Sequence, residues 1–128
     1  LKRLDAFVAQ RRKIVKIYNQ AFSSCEELIV PAQSSEAHSS WHLYMLGLRS
    51  LDRKQVFEKL RDRGLGVNVH YIPVHLHPFY RDKFNTGPGL CPNAEYAYEQ
   101  IISLPIFPGM TDEDVEKVIV EVKNNVCG

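Results

Sequence analysis

Imidazoles and phenols crowd one short stretch of this chain, Gly66-Val67-Asn68-Val69-His70-Tyr71-Ile72-Pro73-Val74-His75-Leu76-His77-Pro78-Phe79-Tyr80. A neutral imidazole carries one donor and one acceptor, and a phenol carries both. His70, Tyr71 and His75 therefore suit the hydroxyls or phosphates of a ligand, while Phe79 and Tyr80 offer flat faces to a sugar or a base. A core strand with an aromatic-rich exit loop would have the same composition, and the residues alone leave both readings open.

Other chemistries lack their parts. His70, His75 and His77, with His38 or His42, could be read as metal ligands. Pro73 and Pro78 break the regular spacing, no cysteine or carboxylate shares the segment, and no H-E-x-x-H pattern occurs. No metal site is predicted, and His42, next to Trp41, is read as a packing residue. There is no nucleophile elbow and no glycine-rich phosphate cradle. Asp112, Glu113 and Asp114 read as helix-start charges, and Cys91 as structural. Each lysine lies in a charged, helix-like context, whereas a Schiff-base lysine needs a desolvated pocket. No catalytic residue is nominated.

The elements that must position this segment follow from periodicity and punctuation. Leu1 to Phe22 reads as a helix with two apolar stripes, one through Leu4, Val8, Val15, Tyr18 and Phe22, the other through Phe7, Ile14, Ile17 and Ala21. Two stripes imply contacts on two sides. Glu27 to Pro31 is a short strand ended by proline, residues 33–40 a polar loop, and Trp41 to Leu48 a second strand. Asp52, with Gln55 three residues on, starts a helix that buries Val56, Phe57 and Leu60 and ends at Gly64. Val67 to Tyr71 is a third strand. Short helices follow over 77–84 and 92–102, separated by turn-rich residues 85–89. Residues 103–110 are expected to be extended and rigid rather than a central strand, because they hold Pro105 and Pro108. The last helix has Thr111 as its cap and Val115, Val118, Ile119 and Val122 as its buried stripe. Strands separated by helices predict an α/β (α+β) sandwich, a small sheet covered by helices.

Bulk properties exclude several classes. Sixteen basic against fifteen acidic residues leave a net charge of +1 and no case for nucleic acid. No apolar run approaches the roughly 20 residues of a membrane span. Cys25, Cys91 and Cys127 are odd in number and form no C-x-x-C pair, so reduced packing or surface cysteines in a cytoplasmic protein are expected. The chain starts on Leu1, already inside a periodic pattern and without a signal peptide, as an excised piece of a longer protein would.

Several separated motifs carry a family resemblance. Residues 66–76 followed by His77-Pro78-Phe79-Tyr80-Arg81, then Ala94-Glu95, then Ser103 through Asp112, resemble the C-terminal part of DegT/DnrJ/EryC1/StrS sugar aminotransferases. Trp41-His42-Leu43-Tyr44 matches the small-domain strand of that family, and Leu1 to Asp5 with Arg11-Arg12 looks like its interdomain helix. The nearest likeness is to enzymes that aminate UDP-4-keto-6-deoxy hexosamines on the way to pseudaminic acid and related surface sugars.

The resemblance implies the small C-terminal domain of a fold-type-I, aspartate-aminotransferase-like enzyme. Residues 1–24 would be the linking helix and 25–128 the small domain, with the large domain absent. It further implies pyridoxal phosphate in the parent, glutamate as amino donor, a nucleotide-sugar acceptor and a homodimer. Asn68, His70, Tyr71 and His75 would line the nucleotide-sugar side of the cleft. Nothing in the chain matches the family's cofactor lysine or its pyridine-pairing aspartate, so the fragment is expected to bind no cofactor and to be inert alone. Family members that dehydrate or regulate share this domain. The competing reading is a stand-alone, non-catalytic sugar- or partner-binding module of the same fold.

Overall fold

A computed structural model describes residues 2–127; Leu1, where the first helix was expected to open, lies outside them. Five helices and three strands follow in the order α1 (Leu4–Phe22), β1 (Leu28–Ile29), β2 (Tyr44–Leu48), α2 (Arg53–Asp62), α3 (Pro78–Phe84), α4 (Pro92–Gln100), β3 (Ile101–Leu104) and α5 (Asp112–Val126). The strands form an antiparallel sheet in the order β1-β2-β3, and an isolated antiparallel bridge between Asn68 and Ser103 extends it by one position beyond β3. This is the expected α+β sandwich.

Alternation along the strands decides which face is covered. Tyr44, Leu46 and Leu48 are buried with Leu28, Val67, Ile102 and Leu104 in one core with the helices. Helix α1 contributes Ile14, Val15, Tyr18 and Phe22, and α5 contributes Val115, Val118, Ile119, Val122 and Val126. Tyr18 joins the two layers. Its ring meets Tyr44 edge-on at 5.1 Å, its hydroxyl donates to the Pro105 carbonyl at 2.9 Å, and the Tyr44 hydroxyl donates to Asn19 Oδ1 at 2.8 Å. Burial holds both phenols well above their ordinary pKa, with Tyr44 and Asp114 adding to the effect on Tyr18.

The caps are where the sequence put them. Asp52 Oδ1 accepts from the Gln55 N–H at 2.9 Å, and Gly64 takes φ +76° just past the end of α2, a conformation that favours glycine. Thr111 and Asp114 form a reciprocal capping box at the start of α5.

Four expectations need correction. Residues 101–104 form β3, neither the end of a helix nor a non-strand segment, because Ile101 turns extended and the Ile-Ile-Ser-Leu run pairs along all of β2's first four residues. Pro105 merely ends that strand. The strands expected over 27–31 and 67–71 shrink to Leu28–Ile29 and a single bridge at Asn68. Cys25 and Cys127, expected to be reduced, are joined by a disulfide. Spacing could not reveal it, because α1 and α5 run side by side in the same direction. Lys13, midway along α1, meets Asp112 at the start of α5 at 3.2 Å, and the two cysteines meet just past the ends of both helices. Finally, His42 is exposed rather than packed.

Candidate functional site

The helical core covers one face of the sheet. The other face follows from the register, since residues directly opposite in an antiparallel pair point the same way. One row runs Ile29–Gly47–Ile101 and the next Met45–Ser103–Asn68. Ile29 lies across Gly47: a Cβ on that glycine would sit 2.9 Å from the Cβ of Ile29. Helix α4 runs beside this face, and its Tyr96, Ala97 and Gln100 complete an apolar groove of about 390 Å³ with Ile29, Met45 and Ile101.

The row containing Ser103 ends in polar groups. Asn68 and Ser103 exchange both backbone hydrogen bonds, at 3.0 and 2.8 Å. The Asn68 side-chain oxygen accepts from the Val69 N–H at 2.8 Å. His70 Nδ1 and the Ser103 hydroxyl share a hydrogen bond at 2.8 Å, which orients the imidazole and leaves its Nε2 for another partner. The ring of Tyr71 stands edge-on to His70 at 4.6 Å and is 71% exposed. Asn68, His70 and Tyr71 thus lie together at one margin of the open face.

His75 has a different setting. It is only 9% exposed, and its Nε2 meets Glu95 Oε1 at 2.8 Å. Glu95 also accepts from the N–H groups of Gly89 and Cys91, and the Thr86 hydroxyl donates to the His75 carbonyl at 2.7 Å. One histidine and one carboxylate thereby tie the helical turn Val74–Leu76, the 85–91 loop and the start of α4 together. His77 Nε2 bonds back to the Ile72 carbonyl at 3.1 Å, so the three histidines take three separate partners. Ser103 and Glu95 were not foreseen as members of the site. Both lie in family-like motifs, but Glu95 acquires its role only through contact with His75 and Ser103 only through its register with Asn68.

The N–H of Gly89, then His75 and Cys91, hold the Glu95 carboxyl below its ordinary value of 4.5. A carboxylate depressed on folding stabilises the fold above the unfolded pKa, and that contribution is lost as pH falls through the folded value. Hydrogen exchange at Gly89 and Cys91, corrected for intrinsic rates, should therefore accelerate as pH drops below 4.5. Glu95→Gln should remove that dependence; equal protection on both sides of the transition would show that Glu95 does not hold the loop.

Neither a metal nor a pyridoxal Schiff base fits the described residues. Cys25, Glu27 and Cys127 bring three ligand atoms within 4.8 Å, but the two sulfurs are bonded to each other. Every lysine is exposed, so none has the desolvated amine that Schiff-base chemistry needs.

The match to the DegT/DnrJ/EryC1/StrS aminotransferase family model runs over residues 1–123. The chain belongs to that family. The uncharacterized protein MJ1066 of Methanocaldococcus jannaschii is 43% identical over 98% of this chain and 34% of its own length. The spore coat polysaccharide biosynthesis protein SpsC of Bacillus subtilis is 37% identical over 100% of this chain and 34% of its own length. Helicobacter pylori PseC, an aminotransferase involved in the biosynthesis of pseudoaminic acid, superposes with a TM-score of 0.90 at 26% identity, covering 98% of this chain and 34% of PseC. The Streptococcus pneumoniae protein Spr1654 in its PLP form gives a TM-score of 0.90 at 27% identity, covering 98% and 33%. This family member therefore spans about a third of the length of the relatives it matches.

Proposed function

We infer that this chain is the small C-terminal domain of a pyridoxal-phosphate-dependent sugar aminotransferase, with residues 1–24 as the linking helix and 25–128 as the domain body. The parent moves an amino group from glutamate to a nucleotide-linked 4-keto-6-deoxy sugar for surface polysaccharide or glycan synthesis, and works as a cytoplasmic homodimer. The observation that carries this reading is the family match along 1–123. The open polar margin of Asn68, His70 and Tyr71 supports it in detail.

In this reading His70, oriented by Ser103, offers its Nε2 to a sugar or phosphate oxygen. The exposed Tyr71 offers a ring face and a hydroxyl, and Asn68 sits one position along the same row. His75, expected to line the same cleft, is enclosed against Glu95 and in this reading contributes by holding the stretch that presents His70 and Tyr71. The cofactor, when bound, supplies the electron sink for amino transfer; its lysine belongs to the part of the parent outside this chain.

The test uses the full-length protein with pyridoxal phosphate, glutamate and UDP-4-keto-6-deoxy-N-acetylhexosamine. The expected result is 2-oxoglutarate and aminated sugar in equal amounts, with none from the 128-residue chain alone. No turnover by the full-length protein, together with nucleotide-sugar binding by the chain, would favour the binding-module reading.

The isolated chain should also self-associate. Only the second half of α1 is covered, and Leu4 and Phe7 are 51% and 41% exposed on its first two turns. Sedimentation velocity across a wide concentration range should show a rising mean mass, and Leu4→Glu/Phe7→Glu should abolish the rise. A strictly monomeric wild-type chain would contradict this.

A further inference from the structure

β1 is two residues long and forms one edge of the sheet. So short a strand does not hold itself in place. Yet Ile29, with Val30, Pro31 and Ala32 after it, builds one wall of the apolar groove on the open face. Something must fix it.

The turn before β1 supplies the fixing points. The Cys25 N–H donates to the Phe22 carbonyl at 3.1 Å, the Leu28 N–H donates to the Cys25 carbonyl at 3.2 Å, and the Arg49 N–H donates to the Glu27 carbonyl at 2.7 Å. Cys25 is at the centre of this stitching, and its sulfur is bonded to that of Cys127, 102 residues away at the C-cap of α5. Helix α5 is anchored independently by its capping box and its buried valines. The bond therefore ties a weak edge to a strong element. Cys127 is only partly buried, which leaves a route for thiol exchange.

We propose that Cys25 and Cys127 are a reversible thiol–disulfide pair whose oxidised form holds β1 in register and so shapes the groove wall. The oxidant is a small-molecule disulfide of the glutathione class. Glu27 Oε2 lies 3.2 Å from Cys25 Sγ, and its charge repels a thiolate there, so Cys127 is the first to attack. The Cys127 thiolate bonds to one glutathione sulfur and expels the other glutathione as a thiolate. Cys25 then gives up its proton to solvent, attacks the Cys127 sulfur of the mixed disulfide and expels the second glutathione. Two protein thiols and one glutathione disulfide become one protein disulfide and two glutathione thiols. Reduction by a dithiol runs the sequence backward.

The pair is tested on the full-length protein equilibrated in buffers of graded reduced-to-oxidised glutathione ratio. Thiols are trapped with iodoacetamide and mapped by mass spectrometry, and hydrogen exchange is followed in parallel. Alkylation at Cys25 and Cys127 should disappear together as the buffer becomes oxidising, with no glutathione retained on either, while the exposed Cys91, which has no protein partner, should gain a glutathione instead. The Leu28 and Arg49 amides should exchange about tenfold faster in the reduced chain, with the middle of α5 unchanged. Cys25→Ser/Cys127→Ser should show the reduced pattern in every buffer. Three outcomes would overturn the proposal: both cysteines alkylated at all ratios, a bond that opens only after denaturation, or the same exchange at Leu28 and Arg49 in both states.

Discussion

Tyr18→Ala is expected to destabilise the chain by about 3–5 kcal/mol, the range for removing a large buried aromatic. Tyr18 is 0% exposed and lies where α1, the sheet and the Pro105 turn meet. Truncation empties that junction, leaves the Pro105 carbonyl without its donor and removes the ring against which Tyr44 and Phe22 pack. Against a typical total of about 5–15 kcal/mol, a loss of that size brings a small domain near its limit. Tyr18→Phe separates the two parts, keeping the ring and removing only the hydroxyl, for a cost of about 1 kcal/mol. Urea unfolding of the three proteins checks the order. An alanine variant within 1 kcal/mol of wild type, on the order of a single hydrogen bond, would mean that α1 is not integral to the core.

The two buried phenols also set an alkaline limit. Their folded pKa values are raised above the ordinary 10.0, so the stability they contribute is complete below pH 10.0 and falls as pH rises through the range above it, where only the unfolded chain ionises. Tyr18→Phe should make the alkaline decline shallower.

If the parent is the proposed sugar aminotransferase, His70→Ala in the full-length protein is expected to lower kcat/KM for the nucleotide sugar by about 10- to 100-fold, through a rise in KM, with little change in the half-reaction with glutamate. The reason is local. His70 projects from the end of the Met45–Ser103–Asn68 row, and Ser103 fixes one nitrogen so that the other is presented in one direction. Ser103→Ala should give a smaller loss of the same kind, because the imidazole remains but its orientation is no longer held. His70→Asn restores a hydrogen-bonding group and should recover part of the affinity. Steady-state kinetics with each substrate varied in turn separates the two half-reactions. A His70→Ala enzyme with an unaltered KM for the sugar would remove His70 from the binding wall.

Much of this protein could be read in one dimension because its signals are local. The capping pairs Asp52/Gln55 and Thr111/Asp114, the left-handed Gly64 and the stripe of valines in α5 each depend on residues within a few positions of one another. So does the family resemblance, which rests on short motifs in a fixed order and reaches from one end of the chain nearly to the other. What local patterning could not supply are the pairings made at long range. Ile101–Leu104 had a weak local signal beside two prolines and became a strand because β2 offers it an edge. His75 had the same credentials as His70 by residue type, yet one is enclosed with Glu95 and the other stands at an open margin beside Ser103. The Cys25–Cys127 bond is the extreme case, with partners 102 residues apart. Residue type and spacing determined the helices, most of their ends and the α+β class, and the motif resemblance pointed to the family. The division of the histidines into one that holds and one that presents, the open face of the sheet and the disulfide were decided only by tertiary structure, since each depends on which distant backbone lies alongside.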